Sequence, residues 1–178
     1  YTLGFLAKLN ANDPDGRFTG QLDLERTGIF GHSTGGGATI QFCGTDSRYK
    51  AGLTLDTFAR PISLDVLDSG TRQPFFYLFS ELWPFARTIE LFNRYYSHVD
   101  PSNHVFTILG ADHYDFSDLP ALSPLAPQMG LKGPINGAVV QKIINQYTLA
   151  FFDKIFKGQA TTLLDGPSPD YPDVRFDR

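Results

Sequence analysis

Five glycines crowd one serine in the stretch RTGIFGHSTGGGATIQFCG, Arg26 to Gly44, and no other feature narrows the fold as much. Gly31, Gly35, Gly36 and Gly37 press on Ser33 from both sides, with Gly28 a little upstream. An ordinary turn needs one glycine at most, so a close approach to this backbone is implied. The short apolar run Thr27 to Phe30 reads as a buried strand, and Thr34 to Cys43 reads as a helix opened by small residues. Gly31-His32-Ser33-Thr34-Gly35 is therefore a G-x-S-x-G pattern at a strand-to-helix junction, the context in which that pattern carries meaning. So tight a turn forces the serine into a strained conformation, and a side chain two residues away on either side is expected to collide. The turn holds the hydroxyl clear of the backbone. It also leaves the Thr34 N–H at a helix N-terminus, where it can donate to an oxyanion. Gly36, Gly37 and Ala38 would let the helix lie close to the sheet. A phosphate loop fails as a rival, because no lysine follows the glycines and G-x-G-x-x-G is absent.

The rest of the chain alternates strand and helix patterns. YTLGFLAKLN opens at helical spacing, so the chain is expected to begin inside a helix that precedes the serine strand. KAGLTLDTF, Lys50 to Phe58, is a second strand candidate ending at Asp56, and QPFFYLFSE, Gln73 to Glu81, is a third ending at Glu81. Ala86 to Ser97 is an amphipathic helix with Ile89, Phe92 and Tyr96 on one face, and Val105 to Leu109 is a fourth strand, followed by His113. A proline-punctuated loop, Leu119 to Pro134, leads to a helix from about Asn136 to Lys157, stopped by Gly158, and the tail beyond reads as loop. Such alternation implies βα units and a parallel sheet with helices on both faces. The chemistry of those sheets collects at the carboxyl ends of the strands, where Ser33, Asp56 and His113 all fall.

A serine hydroxyl needs a base to take its proton and an acid to orient that base. Four histidines are available. His32 adjoins the serine and is expected to point elsewhere, while His98 and His104 flank the turn at the amino end of the fourth strand. Position selects His113. For the acid, Asp56 and Glu81 both end strands and both stay open on this reading; Asp112 and Asp115 sit too close to His113 in sequence to orient its ring easily.

Taken together, GHSTGGGATIQ, AGLTLDTF, QPFFYLFSE and GADHYDFSDL resemble the platelet-activating-factor acetylhydrolase family of α/β-hydrolases, the plasma and type II group with its bacterial esterase relatives. The resemblance runs from about Leu22 to Gly158. It implies an α/β-hydrolase fold, here the C-terminal part of the parallel sheet, and a serine carboxylic-ester hydrolase working through an acyl-enzyme on short acyl esters or oxidised phospholipids. It places the acid at Asp56 and the base at His113, with Glu81 matching a family glutamate outside the triad. Polyester and cutinase-like hydrolases share the elbow but take their acid one strand later, so an enzyme using Glu81 is one alternative. A catalytically incompetent structural or binding fragment is another. Strands that precede the elbow in the family have no counterpart here, so residues 1–178 are expected to form one incomplete hydrolase domain. An N-terminal portion of the same domain, on another chain or lost, is the expected partner.

Phe58, Trp83, Phe85 and Tyr114 are the candidates to line the substrate pocket, although with 16 Phe and 8 Tyr most aromatic residues must serve the core. No metal or organic cofactor is implied, since the histidines lack ligand spacing. The 178 residues, 42% hydrophobic and 19% charged with a net charge of -4, suit one compact domain and carry no basic stripe for nucleic acid. No run of about 18 apolar residues marks a transmembrane segment. The expected partner is a small-molecule or lipid ester, and Cys43, alone in the chain, is expected to be a buried thiol.

Overall fold

A computed structural model of the chain describes residues 2–82 and 86–178. Helix α1 (Thr2–Ala11) leads through a turn-rich stretch to β1 (Gly28–His32) and α2 (Thr34–Thr45). Next come β2 (Ala51–Leu55), α3 (Leu64–Ser69), β3 (Phe75–Ser80), α4 (Ala86–Tyr96) and β4 (Val105–Ile108). The short α5 (Leu119–Leu122), the long α6 (Gly137–Lys157) and β5 (Val174–Phe176) complete the chain. The strands form one sheet in the order β1-β2-β3-β4-β5. β1 to β4 run parallel, with Gly31 opposite Thr54 and Thr54 opposite Tyr77, while β5 returns antiparallel to β4. The carboxyl ends of β1, β2, β3 and β4 therefore meet along one rim.

Alternation within the strands builds a core on each face of this sheet. In β3, Phe76 and Leu78 join Leu53, Phe106 and Ile108 against α6, whose Val140, Ile143, Tyr147 and Phe151 recur at helical spacing and are buried. Phe75 and Tyr77 turn the other way, onto Ile40 and Cys43 of α2, Val66 and Leu67 of α3, and Leu91, Phe92 and Tyr95 of α4. Burying an apolar side chain of this size stabilises the fold by about 1.5–3 kcal/mol, so the long stripe of α6 is a main anchor of the sheet. Helix α6 is capped by the Asn136 side chain at its start and ends at Gly158, which adopts φ 64 in the left-handed region. Burial pushes the Cys43 thiol up to about 12, in keeping with its place in the apolar layer.

The α/β class, the parallel sheet and its two covered faces follow the sequence pattern, and three details differ from it. The tail is not all loop: Val174–Phe176 pairs with β4, and the Val105 N–H donates to the Arg178 carbonyl. Helix α3, six residues long and capped by Ser63, is too short to display a helical repeat. In α4 the buried residues are Thr88, Leu91, Phe92 and Tyr95, whereas Ile89, expected on the apolar face, is 49% exposed.

Candidate active site

Ser33 sits between β1 and α2 with φ 56 and ψ -119. A non-glycine residue pays about 1–3 kcal/mol for such a conformation and persists in it only where its surroundings insist. Here the Ser33 N–H donates to the Leu55 carbonyl at 3.0 Å, and its carbonyl accepts from the Phe58 N–H at 2.9 Å. The chain leaving β2 thus grips the elbow from both sides.

The glycines divide by role. A methyl at Gly31 would fall on the carbonyl group of Gly35, and one at Gly37 would fall on the Phe58 carbonyl oxygen. At Gly36 it would lie 3.2 Å from both the Gly31 oxygen and the Thr57 Cα. Gly35 itself faces open space, so the collision expected on both sides of Ser33 occurs on one: the crowding is against the backbone of Gly35, not at its Cβ position. Thr34 opens α2, which leaves its N–H without an intrahelical acceptor.

Asp56 follows β2 directly, also at positive φ, 47°. Its N–H donates to the Leu78 carbonyl at 2.7 Å, and the side chain is only 1% exposed. Three donors converge on the carboxylate: Ser80 N–H on Oδ1 at 2.9 Å, Ser80 Oγ–H on Oδ2 at 2.9 Å, and His113 Nδ1–H on Oδ2 at 2.6 Å. With Nδ1 committed as donor, His113 Nε2 is left to accept the Ser33 Oγ–H at 2.9 Å. Residues 33, 56 and 113 are therefore joined in one hydrogen-bonded relay. A hydroxyl bonded to an imidazole that a buried carboxylate orients is the arrangement that lets serine shed its proton while attacking a carbonyl.

The turn holding His113 is braced locally. Asp112 and Asp115 form a reciprocal capping box across it, and Asp115 Oδ2 also accepts the Gly133 N–H at 2.8 Å. Glu81 lies on the same rim but does not bond His113; its Oε2 accepts the Gly110 N–H at 2.8 Å, with Arg175 at 3.7 Å. His32 departs from expectation. Its ring turns toward the site, with Nε2–H donating to the His113 carbonyl at 3.0 Å. Burial, then the charge that His113 can carry, hold the His32 pKa below its ordinary value.

Of the residues expected to line a pocket, Tyr114 is 39% exposed with its ring edge-on to that of His113 at 5.4 Å. The Phe58 N–H donates to the Ser33 carbonyl at 2.9 Å. Trp83 and Phe85 lie outside the described residues. Sequence reasoning missed Ser80 and His32 as supports, because their partners are 24 and 81 residues distant. The one available signal was the hydroxyl beside Glu81 at the strand end.

Comparisons with known proteins place the chain in a family. The family model described as platelet-activating factor acetylhydrolase, isoform II, matches residues 11–162. A platelet-activating factor acetylhydrolase from Cavia porcellus is 33% identical over 137 residues, which cover 76% of this chain and 31% of that protein. The enzyme of that name from Gallus gallus is 30% identical over 135 residues, covering 75% and 32% respectively. This chain thus spans about a third of the curated relatives it matches. A solved structure, a ferulic acid esterase from Streptomyces cinnamoneus, superimposes with a TM-score of 0.76 at 24% identity, covering 99% of this chain and 55% of that one. That likeness establishes the α/β-hydrolase fold. On the breadth of the family match, the chain belongs to the platelet-activating factor acetylhydrolase isoform II family.

Proposed function

We propose that the protein hydrolyses carboxylic esters through an acyl-enzyme, with Ser33 as nucleophile, His113 as base and Asp56 as the acid that fixes the imidazole. The observation that carries this is the relay itself: Ser33 Oγ to His113 Nε2 at 2.9 Å and His113 Nδ1 to Asp56 Oδ2 at 2.6 Å. As Ser33 Oγ bonds to the ester carbon, its proton passes to His113 Nε2, and the carbonyl oxygen becomes an oxyanion that the Thr34 N–H can meet. Collapse breaks the bond to the alkoxy group, which leaves with the proton from His113. Water then repeats the sequence against the acyl-enzyme and releases the acid. Buried Asp56 balances the imidazolium throughout without taking its proton.

Short acyl esters are the favoured substrates, because the relatives are named acetylhydrolases. β1 has no partner on its outer edge among the described residues, and Phe30 there is 62% exposed. Both features support a further portion of the hydrolase domain packing against that edge and adding a second N–H for the oxyanion.

A fluorophosphonate probe tests the reading. Labelling of the wild type that disappears in Ser33→Ala is the expected result, with 4-nitrophenyl acetate hydrolysis lost in parallel. A wild type that remains unlabelled, or a Ser33→Ala protein that labels equally, overturns it.

A further inference from the structure

His32 closes β1 immediately before Ser33, yet its ring contacts are with a turn 81 residues further along the chain. A carbonyl oxygen only accepts, so the 3.0 Å contact with the His113 carbonyl requires the proton of His32 on Nε2. The ring also stands 4.5 Å from that of His113, tilted by 39°, and stacks within 10° of parallel on Phe116 at 6.0 Å. Its position is thus set from two sides, by a hydrogen bond and by an aromatic face.

Two further sets of bonds in that turn serve a different purpose. The Asp112–Asp115 capping box ties the turn to itself, and Asp115 ties it to Gly133. His32 ties it to the strand that ends in the nucleophile. The imidazole of His113 must reach two atoms at once, Ser33 Oγ and Asp56 Oδ2, and both residues directly follow strands of the sheet. A shift of its main chain would lengthen one bond or the other, and misplacement by about 1 Å can cost about 10²-fold in rate.

We propose that His32 is a positioning residue for the hydrolysis proposed above: its Nε2–H anchors the main chain of His113 so that the imidazole stands between Ser33 and Asp56. This inference rests on that hydrolytic reading for its effect on rate, but the anchoring is observable apart from activity. Burial and the neighbouring His113 favour a neutral His32. A neutral ring adds no repulsion when His113 becomes an imidazolium. The same hydrogen bond is therefore available in every stage of the cycle.

Two substitutions separate the donor from the ring. His32→Phe keeps an aromatic face for Phe116 and removes the N–H; His32→Gln loses the ring and retains an N–H at the same reach from Cβ. In the phenylalanine variant kcat on 4-nitrophenyl acetate is expected to fall about 10- to 100-fold with KM nearly unchanged. Gln at the same position is expected to restore most of that loss. The low-field proton resonance of the His113 Nδ1–H, read by NMR without substrate, is expected to persist in the wild type and His32→Gln and to broaden or vanish in His32→Phe. A phenylalanine variant with wild-type kcat and an intact resonance overturns the proposal, as do equal losses in both variants or a wild type lacking the resonance. If the wild type has the resonance but cleaves no ester, the hydrolytic reading fails, and the spectra of the two variants still decide whether His32 anchors His113.

Discussion

Two acidic residues close adjacent strands on the same rim of the sheet, and their surroundings have almost nothing in common. Asp56, after β2, is 1% exposed, adopts φ 47 and receives three hydrogen bonds. Glu81, after β3, has a side chain 39% exposed, sits outside the left-handed region and accepts one backbone N–H. Among the described residues, Ser33 and Asp56 are the two non-glycine residues at positive φ. Strain falls on Ser33 and on Asp56, and the neighbouring glutamate is spared it. A buried carboxylate with dedicated donors can orient an imidazole in a fixed direction, whereas an exposed one shares its bonding with solvent. Glu81 instead steadies Gly110, at the start of the segment that carries His113.

The contrast can be broken most directly at Asp56. Asp56→Asn is expected to lower kcat on 4-nitrophenyl acetate about 10⁴-fold, because an amide favours the wrong imidazole tautomer and leaves the imidazolium uncompensated. If Glu81→Gln matches that loss, the assignment of the two acids is reversed. Ser80→Ala removes one donor from the Asp56 carboxylate while leaving the Ser80 N–H in place. A hydrogen bond to a charged group contributes about 1.5–3 kcal/mol, so a loss of about tenfold or more in kcat is the expected result. Glu81→Gln preserves an acceptor for Gly110 and should stay within about twofold of wild type in the same assay.

The smallest effect is electrostatic and is read on His32. The Asp56 charge raises the His32 pKa, against the larger lowering by burial and by His113. Titration of the His32 ring C–H by NMR should give a midpoint below 6.5 in the wild type, lower again in Asp56→Asn and unmoved in Glu81→Gln. Since the folded pKa lies below the unfolded one, His32 contributes stability that is present above pH 6.5 and is lost as pH falls through the depressed value. Urea midpoints measured down that range should therefore decline less steeply in His32→Gln than in the wild type.

What could be read from the chain itself follows from how local each signal is. The elbow was readable because Gly31, Gly36 and Gly37 answer a steric demand made within a few residues, or by the loop just beyond the next strand. The βα alternation was readable because β2 and β3 are short, largely apolar runs, buried along nearly their whole length. Residue patterns alone left Asp56 and Glu81 level, since strand ends look alike in sequence; family resemblance favoured Asp56, and the hydrogen bonds to His113 and Ser80 separate the two. Strand β5 was hidden by its length, three residues in a proline-rich tail whose partner lies some seventy residues earlier. His32 was misjudged for a related reason. Adjacency to the nucleophile implied that the ring must face away, whereas its direction is decided by a turn remote in sequence.

Ser33 and Asp56 directly follow two paired strands, β1 and β2, and their segments are joined through the Ser33 N–H on Leu55 and the Phe58 N–H on Ser33. The imidazole instead arrives on a loop that follows β4 and leans on Gly133 in another loop. On warming, loops held by a few hydrogen bonds open before paired central strands do. Heat should consequently silence such a molecule while its sheet is still intact, and a half-life of activity would be lengthened by stiffening residues 110–135 rather than by enlarging the core.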